Sequence, residues 1–373
     1  MRILIVSLRG PTRLARRGGA QDYVRAVAAP WAREGHEVTI LCGQETLPDG
    51  SQLPERETVD GLAVVRVGTP SSRARPLVHE ARQRAAVADA VVENIMAFPL
   101  ALRWALEQKT PLVAVKHHFQ GASFVRSQGW LRGTFGRAME SVALPLVYRE
   151  TPLVVPSAKT AAHVRRLWVR HRVGVEVIPP PVALAEAVSE TERAPRPTIL
   201  YLGALHLSRK RVDHLISAFR ETAERVPEAE LVIAGDGPDR AALEAQAAGL
   251  AVRFDGFVSD EEKHSLMSRA WAFASPSIQE GFGITWVEAG AHGLPFVGYR
   301  VPDLDTVDES CAILVPPGDV DALATQLQRL LTDDALRQRL GAGARANAQR
   351  FDPERSSRAF LRVIEREVAR GAR

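Results

Sequence analysis

The sequence is poor in cysteine, in dense basic runs and in long apolar runs, and each shortage excludes a class of protein. Cys42 and Cys311 are the only cysteines among 373 residues, and they lack the paired spacing of a disulfide framework or a zinc site. The net charge of +4 is spread along the chain. That distribution argues against a nucleic-acid partner and suits phosphate-bearing ligands or an anionic membrane face.

Hydrophobic targeting and spanning segments are also missing. No stretch approaches the roughly 20 consecutive apolar residues that cross a bilayer. The opening MRILIVSLRG runs from a short apolar stretch straight into a glycine turn and has no cleavage pattern of a signal peptide. We therefore expect a cytoplasmic protein.

What the sequence does have is a regular alternation of short apolar runs and longer helical patterns, repeated twice. The strands predicted in the first half are RILIVSL, HEVTILC, ADAVVEN, PLVAVKHH, TPLVVPS and GVEVIPP, and VDGLAVVRVG is predicted to be an extended excursion. The strands predicted in the second half are TILYLG, AELVIAG, VRFDGF, WAFASP and PFVGYR. This alternation predicts an α/β fold in which two parallel sheets, each with helices on both faces, face each other across a cleft.

The two halves are separated by a polar stretch rich in alanine and proline. Residues 183–197 carry no strand signal and are the predicted linker between two domains. A long helix is predicted over WLRGTFGRAMESVALPLVYRE, and Pro145 should kink or end it. This amphipathic segment has two open interpretations, namely packing on its own sheet or peripheral contact with an anionic membrane at the inner face.

A dinucleotide-binding dehydrogenase is the obvious competitor for this pattern. Its phosphate loop, G-x-G-x-x-G between a strand and a helix, does not follow the first strand. Gly235 to Arg240 follows a predicted strand and opens a helix, but the third glycine position is Arg240. Residues 341–346 match the letters inside a helical region with no strand before them. The first match is therefore an imperfect copy, and the second lacks the required context, which argues against a dehydrogenase.

Two glutamates, Glu280 and Glu288, flank a glycine-rich turn in SPSIQEGFGITWVEAGAHGLP. One interpretation of Glu288 is purely structural, because Thr285 and Glu288 have the spacing of a helix capping box. The alternative is a ligand site. Glycines at 281 and 283 would let backbone amides approach a phosphate at a helix N-terminus, and the two carboxylates could accept hydrogen bonds from sugar hydroxyls. A nucleotide-sugar carries both groups.

The segment EGFGITWVEAGAHGLPFV contains two glutamates separated by seven residues, several glycines and then A-x-G-x-P. It resembles the donor-binding signature of the retaining, nucleotide-sugar-dependent glycosyltransferases of family 4, which have the two-domain GT-B architecture. YLGALHLSRKRVDHLISAF, LVIAGDGPDRAAL and the final RFDPE with its helix are also similar to that family. The resemblance implies an acceptor-side domain at 1–182 with a returning helix at 354–373. It also implies a donor domain at 198–353.

The resemblance implies roles for particular residues. Glu280 would hydrogen-bond to hydroxyls of the donor sugar, Glu288 would accept hydrogen bonds from the ribose hydroxyls, and Lys210 would bind the diphosphate. The implied catalytic residues are Glu280, Lys210 and one of His117 and His118. The implied donor-binding residues are Gly18, Gly19, Gly203, Arg209, Phe257, Val258, Gly281, Phe282, Gly283, Ile284, Thr285 and Glu288.

The chain departs from the family pattern at three places. Ala204 stands where an arginine usually follows the glycine matched by Gly203, and either Arg209 or Arg211 could substitute for it. Gln21 stands where a glutamate is more usual, and PPPV at 179–182 replaces a proline-asparagine-glycine turn.

The implied reaction transfers a hexosyl or N-acetylhexosaminyl unit from a UDP- or GDP-sugar to a hydroxyl of a small-molecule or lipid acceptor, with retention and without a metal or other cofactor. The acidic triplet at 303–305 is interpreted as a loop feature and not as a metal site. Two alternatives stay open. One is a sugar-nucleotide epimerase or phosphorolytic enzyme of the same architecture, and the other is a degenerate nucleotide-sugar-binding module, suggested by Ala204. The oligomeric state also stays open.

Overall fold

The computed structural model describes residues 1–12, 19–47, 50–96, 99–117, 130–167, 173–182, 193–280, 282–301, 304 and 306–371. The chain divides into two compact units. The first unit combines Met1–Pro181 with Pro353–Arg373, and the second is Val182–Asp352. Across the described residues, every helix is too short or too polar to cross a bilayer.

The first unit contains a sheet of eight strands within the described residues. In chain order these are β1 (Arg2–Ser7), β2 (Glu37–Gly43), β3 (Arg56–Val59), β4 (Leu62–Val67), β5 (Ala90–Ile95), β6 (Leu112–Lys116), β7 (Leu153–Val155) and β8 (Val175–Val177). The sheet order is β3-β4-β2-β1-β5-β6-β7-β8. Neighbouring strands are parallel except β3 and β4, which are antiparallel. The extended excursion predicted around VDGLAVVRVG is this edge hairpin.

Helices cover the sheet of the first unit. They are α1 (Gly19–Arg33), α2 (Ala74–Ala85), α3 (Leu102–Ala105), α4 (Trp130–Ala138), α5 (Leu144–Val147), α6 (Ala158–Leu167) and, from the end of the chain, the helix Pro353–Gly371. A π-helical turn at Met139–Ala143 joins α4 to α5. Pro145 therefore does not end the helical segment. The wide turn just before it leaves the backbone carbonyls out of α-helical register, where a missing N–H is tolerated.

The last helix packs on α1 through aromatic and hydrogen-bonding contacts. The ring of Trp31 meets Phe360 edge-on, with ring centroids 5.4 Å apart. The Trp31 indole Nε1 donates to the Ser357 carbonyl at 3.1 Å, and the Ser357 hydroxyl donates to the Val27 carbonyl at 2.8 Å. Since Trp31 and Phe360 are almost completely buried, this contact makes the end of the chain part of the first hydrophobic core.

The second unit has its own sheet of six parallel strands within the described residues. The strands are β9 (Thr198–Leu202), β10 (Glu230–Ala234), β11 (Val252–Gly256), β12 (Ala272–Ser275), β13 (Phe296–Tyr299) and β14 (Ala312–Val315), in the order β11-β10-β9-β12-β13-β14. The prediction of two parallel α/β sheets is thus confirmed. The edge strand β14 was not among the predicted strands.

The helices of the second unit follow its strands. They are α7 (Leu207–Lys210), α8 (Val212–Arg225), α9 (Arg240–Gln246), α10 (Asp260–Arg269), α11 (Ile284–Ala291), α12 (Val320–Thr332) and α13 (Asp334–Ala348), followed by a 3₁₀ turn (Gln349–Phe351). The last helix of the chain, Pro353–Gly371, belongs to the first unit and is α14. The glycine-rich letters at 341–346 lie inside α13, so their rejection as a phosphate loop is confirmed. Most of the predicted linker, 183–192, lies outside the described residues.

Candidate donor-binding site

The loop that follows β9 is shaped around a buried tyrosine. The Tyr201 hydroxyl donates to the Ala204 carbonyl at 3.1 Å, and a Cβ added to Gly203 would lie 3.0 Å from that hydroxyl oxygen. A side chain at position 203 would therefore push the tyrosine away. The loop continues into the short helix α7, which ends at Lys210.

Lys210 and Glu280 form an ion pair between the Lys210 Nζ and the Glu280 Oε1. Their side chains are 20% and 13% exposed, respectively. A second link joins the same segments, because the Ile278 N–H donates to the Arg209 carbonyl at 2.9 Å. Burial and the nearby Glu280 carboxylate raise the pKa of Tyr201. The structure thus brings together the lysine and the first glutamate singled out in the sequence, although they are 70 residues apart.

The helix behind Glu280 begins without a capping box. The N-cap residue of α11 is Gly283, with φ of +79°, and no side chain caps the helix there. Glycine adopts this left-handed conformation without strain. Because Ile284 is the first helical residue, Glu288 is the fifth and lies too far along to cap the first turn. The capping-box interpretation of Thr285 and Glu288 is therefore wrong.

Glu288 instead forms an ion pair with Lys263 of α10, which the sequence analysis missed. The Lys263 Nζ lies 2.8 Å from the Glu288 Oε1 and 3.4 Å from an Asp260 oxygen. The Lys263 and Glu288 side chains are 18% and 20% exposed. Burial alone would lower the pKa of Lys263, but the carboxylates of Glu288 and Asp260 outweigh burial and raise that pKa above its usual value.

A histidine pair continues the contact between α10 and α11. The His292 Nε2 lies 2.9 Å from the His264 Nδ1, and the His292 Nδ1 lies 3.1 Å from the Ser268 hydroxyl. An Arg193 N–H donates to the His292 carbonyl at 3.0 Å. Burial first, then the neighbouring His264 and nearby cations, lower the pKa of His292 to about 4. His292 is therefore a neutral hydrogen-bonding group at neutral pH.

Phe257 and Val258 lie between the end of β11 and the start of α10. The Phe257 side chain is 65% exposed, while Val258 is half-buried. The capping box of this unit is found next to them, since the Ser259 hydroxyl accepts from the Glu262 N–H at 3.2 Å and the Glu262 carboxylate accepts from the Ser259 N–H at 2.7 Å. Lys263 follows directly, so one short segment links Val258 to the partner of Glu288.

The remaining residues around the start of α11 are partly apolar. Phe282 is buried and meets Phe351 edge-on at a centroid distance of 5.4 Å. Its carbonyl accepts a hydrogen bond from the Thr306 hydroxyl. Ile284 packs on the same cluster, and Thr285 is half-buried. These contacts hold the first turn of α11, and so the place of Glu288, from behind.

Two arginines flank Lys210, and only one is engaged by neighbouring side chains. Arg211 donates to the Asp213 carboxylate at 2.8 Å and contacts the His214 ring nitrogen. Arg209 is exposed, and its guanidinium makes no hydrogen bond or ion pair with the described residues. Arg209 is thus the cation available beside Lys210, whereas Arg211 is held by the first turn of α8.

In the first unit, His117 is a buried residue at the carboxyl end of β6. Its Nε2 lies 2.6 Å from the Asn94 Oδ1, and its ring meets Tyr23 edge-on with centroids 5.1 Å apart. The Asn94 amide in turn donates to the Ser7 hydroxyl at 3.0 Å and to the Ala20 carbonyl at 3.4 Å. This chain of contacts ties His117 to the beginning of α1, one residue beyond Gly19.

The residue before His117 carries a buried charge. Lys116 is fully buried and its Nζ lies 3.0 Å from the Glu140 Oε1, in the π-helical turn. Burial lowers the pKa of Lys116, and the Glu140 carboxylate opposes that effect. The pair attaches the π-helical turn to the end of β6.

Several residues singled out in the sequence lie outside the described residues, namely Gly18, His118, Gly281, Asp303 and Asp305. Among the residues that the structure describes, no group of three or more histidine, cysteine or acidic side chains is arranged to hold a metal ion. Gln21, which stands where the family more often has a glutamate, is buried, and its side-chain amide donates to the Gly10 carbonyl at 3.3 Å.

Comparison with known proteins identifies the same family in both halves of the chain. Residues 18–181 match the family model described as glycosyl transferase 4-like domain, and residues 196–333 match the one described as glycosyl transferases group 1. The phosphatidyl-myo-inositol mannosyltransferase of Mycobacterium leprae is 30% identical over 380 residues, which cover 95% of each chain. The MMP α-(1→4)-mannosyltransferase of Mycolicibacterium hassiacum is 27% identical, and all of each chain is covered.

Solved structures share the architecture at lower identity. The sucrose-phosphate synthase of Thermosynechococcus elongatus superposes with a TM-score of 0.76 at 21% identity, covering 99% of this chain and 100% of that one. Anabaena Alr3699/HepE, in complex with UDP and glucose, gives a TM-score of 0.72 at 17% identity, with 98% and 99% covered. These likenesses concern the fold alone. Together with the family matches and the relative from M. leprae, they show that this chain belongs to the glycosyltransferases of family 4 type with the GT-B architecture.

Proposed function

We propose that this glycosyltransferase moves a hexosyl or N-acetylhexosaminyl unit from a nucleoside-diphosphate sugar to a hydroxyl of a small-molecule or lipid acceptor, with retention of anomeric configuration. The observation that carries the proposal is the pair of charged contacts around the start of α11. Lys210 with Glu280 and Lys263 with Glu288 place two cations and two hydrogen-bond-accepting carboxylates within one unit. A sugar diphosphate has the matching groups, namely an anionic diphosphate and two sets of hydroxyls.

In this proposal the diphosphate binds Lys210, Arg209 and the amides at the start of α11. A helix N-terminus attracts an anion because its first N–H groups have no helical partner. Phosphate would displace the Glu280 carboxylate from Lys210, and Glu280 would then accept from hydroxyls of the donor sugar. Glu288 would accept from the ribose, and the backbone at Phe257 and Val258 would hold the base.

The missing arginine at position 204 is the specific reason to test whether the diphosphate is still bound. The exposed guanidinium of Arg209 supports the view that this side chain replaces it, since Arg211 is engaged with Asp213. If neither replaces it, the alternative of a degenerate nucleotide-sugar-binding module gains support. Substituting Arg209 and Arg211 separately by methionine distinguishes the two cations, because only loss of the cation that binds diphosphate should weaken nucleoside-diphosphate affinity.

The chemistry proposed is electrostatic. Departure of the diphosphate leaves positive character on the sugar, and fixed cations and amides at the phosphates lower the energy of that transition state. The acceptor oxygen then forms a bond to the anomeric carbon on the face from which the diphosphate leaves, and a phosphate oxygen takes the acceptor proton. The scheme needs no carboxylate nucleophile and no metal ion. One of His117 and His118 is proposed to approach the sugar; the structure describes the first of them, which Asn94 contacts in the first unit.

The nucleotide and acceptor are proposed only as classes. The Anabaena protein was solved with UDP-glucose and with UDP, which supports a nucleoside-diphosphate sugar as donor. The relatives from M. leprae and M. hassiacum, covered over 95% and 100% of their lengths, are named as mannosyltransferases, and the first name specifies phosphatidyl-myo-inositol. We therefore include both UDP and GDP, and both free myo-inositol and phosphatidylinositol vesicles, among the compounds to test.

The first experiment is thermal unfolding with UDP, GDP, ADP and dTDP, each with and without Mg²⁺. A ligand at about 100 times its dissociation constant adds about 2.7 kcal/mol to the free energy of unfolding. We expect one nucleotide to stabilise the wild type independently of Mg²⁺ and to have no effect on Glu288→Ala. The matched control is Glu309→Ala, which removes an exposed glutamate paired with Arg300 in the same unit and should keep the response.

The transfer itself is tested with the sugar form of the nucleotide that binds. Product formation with an acceptor hydroxyl, and the anomeric coupling constant of that product by NMR, would establish the reaction and its retention. Release of an epimerised nucleotide-sugar without any acceptor would favour the epimerase alternative. Tight nucleotide binding without turnover of any donor would favour the binding module.

A further inference from the structure

The turn from Gly235 to Arg240, rejected as a dinucleotide loop, has a different task in the structure. It follows β10 and leads into α9. Its two glycines are required by protein backbone and not by a phosphate. A Cβ at Gly235, where φ is +136°, would lie 1.9 Å from the Gly203 carbonyl oxygen. A Cβ at Gly237 would lie 2.3 Å from the Leu205 carbonyl oxygen.

Hydrogen bonds join this turn to the loop that carries Lys210. The Gly203 N–H donates to the Ala234 carbonyl at 3.0 Å, and the Leu205 N–H donates to the Asp236 carbonyl at 3.0 Å. On its other side, the Gly235 N–H donates to the Gly256 carbonyl at 2.6 Å, next to Phe257. The turn therefore lies between the loop proposed to bind diphosphate and the loop proposed to hold the base.

Asp239 makes the contact with the most direct consequence. Its Oδ2 accepts a hydrogen bond of 2.8 Å from the N–H of Leu207, the first residue of α7. The N-cap residue of α7 is His206, whose side chain makes no capping hydrogen bond. Asp239 thus supplies from another loop the side-chain acceptor that an N-cap residue usually supplies itself.

We infer that Asp239 is a positioning residue for donor binding, which acts by holding α7 and with it Lys210. The inference rests on the proposed function. α7 has only four residues, and so short a helix has little stability of its own. Its orientation is set by its attachments, namely two side chains, Asp239 at Leu207 and Glu280 at Lys210, and the backbone N–H of Ile278 at the Arg209 carbonyl. Since donor phosphate would take Lys210 away from Glu280, Asp239 is the side-chain attachment that persists while the diphosphate is bound.

The test compares Asp239→Leu, which has no acceptor, with Asp239→Asn, which keeps one oxygen in nearly the same place. The matched control is Asp333→Leu, because the Asp333 carboxylate accepts from the Leu336 N–H at 2.9 Å at the start of α13, away from the residues proposed to bind the donor. Calorimetric titration measures affinity for the nucleoside diphosphate that binds the wild type and for the corresponding nucleoside, which lacks phosphate.

We expect Asp239→Leu to weaken diphosphate binding about tenfold, equivalent to about 1.4 kcal/mol, and to leave nucleoside binding unchanged. Asp239→Asn should restore most of the affinity, and Asp333→Leu should lower the melting temperature without changing either affinity. In the Lys210→Met background, Asp239→Leu should have little further effect, because the two positions then act on the same contact. Equal losses for diphosphate and nucleoside, or a full tenfold loss in that background, would overturn the inference.

Amide hydrogen exchange gives a readout that needs no ligand. Exchange at Leu207 and along α7 should rise in Asp239→Leu and stay at the wild-type level in Asp333→Leu. A rise at α7 together with no nucleotide binding by the wild type would retain the attachment of α7 and reject the proposed function. Unchanged exchange at α7 would reject Asp239 as a positioning residue whatever the wild type binds.

Discussion

Acidification should destabilise the second unit through His292, the last-turn neighbour of Glu288. The His292 side chain is 4% exposed. Both of its ring nitrogens are in hydrogen bonds, one with the His264 ring and the other with the Ser268 hydroxyl. Protonation would put a buried positive charge among other cations. The neighbouring charged groups that oppose it, after burial itself, are His264, Arg193, Arg345 and Lys263.

The sign and size of the effect follow from the two pKa values of His292. The pKa is lowered from 6.5 to about 4 in the folded protein. Between these two pKa values His292 is protonated in the unfolded chain and neutral in the folded protein. The free energy of unfolding therefore falls as the pH decreases from about 6.5 to about 4. Between pH 7.5 and pH 5 the free energy of unfolding should fall by about 2 kcal/mol from this group.

Urea unfolding at several pH values in this range, on the wild type and on His292→Asn, measures the loss. Asparagine does not titrate, so the difference between the two proteins should shrink by about 2 kcal/mol as pH falls to 5. His264→Asn is the control that separates causes. Because burial is the first cause of the shift, this variant should keep most of the acid sensitivity. A pH-independent difference between wild type and His292→Asn would refute the reasoning, as would an NMR titration of the His292 ring with a midpoint near 6.5.

Three further predictions concern the same unit. Lys263→Met leaves the partly buried Glu288 carboxylate without its cation and should lower the free energy of unfolding by about 1 kcal/mol. Because the pKa of Lys263 is raised above 10.5 in the folded protein, this difference should disappear once the pH exceeds that raised pKa. A difference that stays constant in urea titrations at alkaline pH would contradict the prediction. Gly235→Ala should prevent folding or lower the free energy of unfolding by more than about 4 kcal/mol, because the added Cβ would lie 1.9 Å from a backbone oxygen. Gly249→Ala, where φ is +80° and a Cβ would meet nothing within 4 Å, should lower it by only about 1 kcal/mol. Equal losses of stability in thermal unfolding would contradict this prediction. Arg209→Met should weaken nucleoside-diphosphate binding about fivefold in calorimetry without lowering the melting temperature, and unchanged affinity would remove Arg209 from the proposed site.

Much of the fold could be predicted from the sequence because buried parallel strands are short, continuous apolar runs. β1 is an example, since every residue of RILIVS after the first is buried. β14 escaped prediction because AILV is brief, is followed by a proline turn and is half-exposed in its middle. Its identity as a strand depends on pairing with β13, which no local pattern contains.

The candidate site divides in the same way. Lys210 and Glu280 stand in segments with distinctive glycines and could be found from the sequence, through a family resemblance. Lys263 could not, because SDEEKHS looks like the solvated face of a helix, and its contact with Glu288 arises only when α10 packs beside α11.

The capping-box error has a specific physical cause. Ser259 with Glu262 and Thr285 with Glu288 have the same spacing, yet only the first pair caps a helix. At the second place the left-handed Gly283 is the N-cap, so the helix starts two residues earlier than a capping box of Thr285 and Glu288 requires. The buried contacts of Phe282 fix that start from behind. Local spacing shows that a cap is possible, and the packed backbone decides where the helix begins.

The ion pair between Lys210 and Glu280 also bears on how a reaction cycle would end. In the proposed site, the nucleoside diphosphate product dissociates from Lys210, and the nearby Glu280 carboxylate can pair with that lysine again. Glu280 would thus act as an internal competitor that takes Lys210 back as the product departs. This competition lowers the affinity for the nucleoside diphosphate product without requiring a domain movement. Turnover is then less inhibited by product that accumulates in solution.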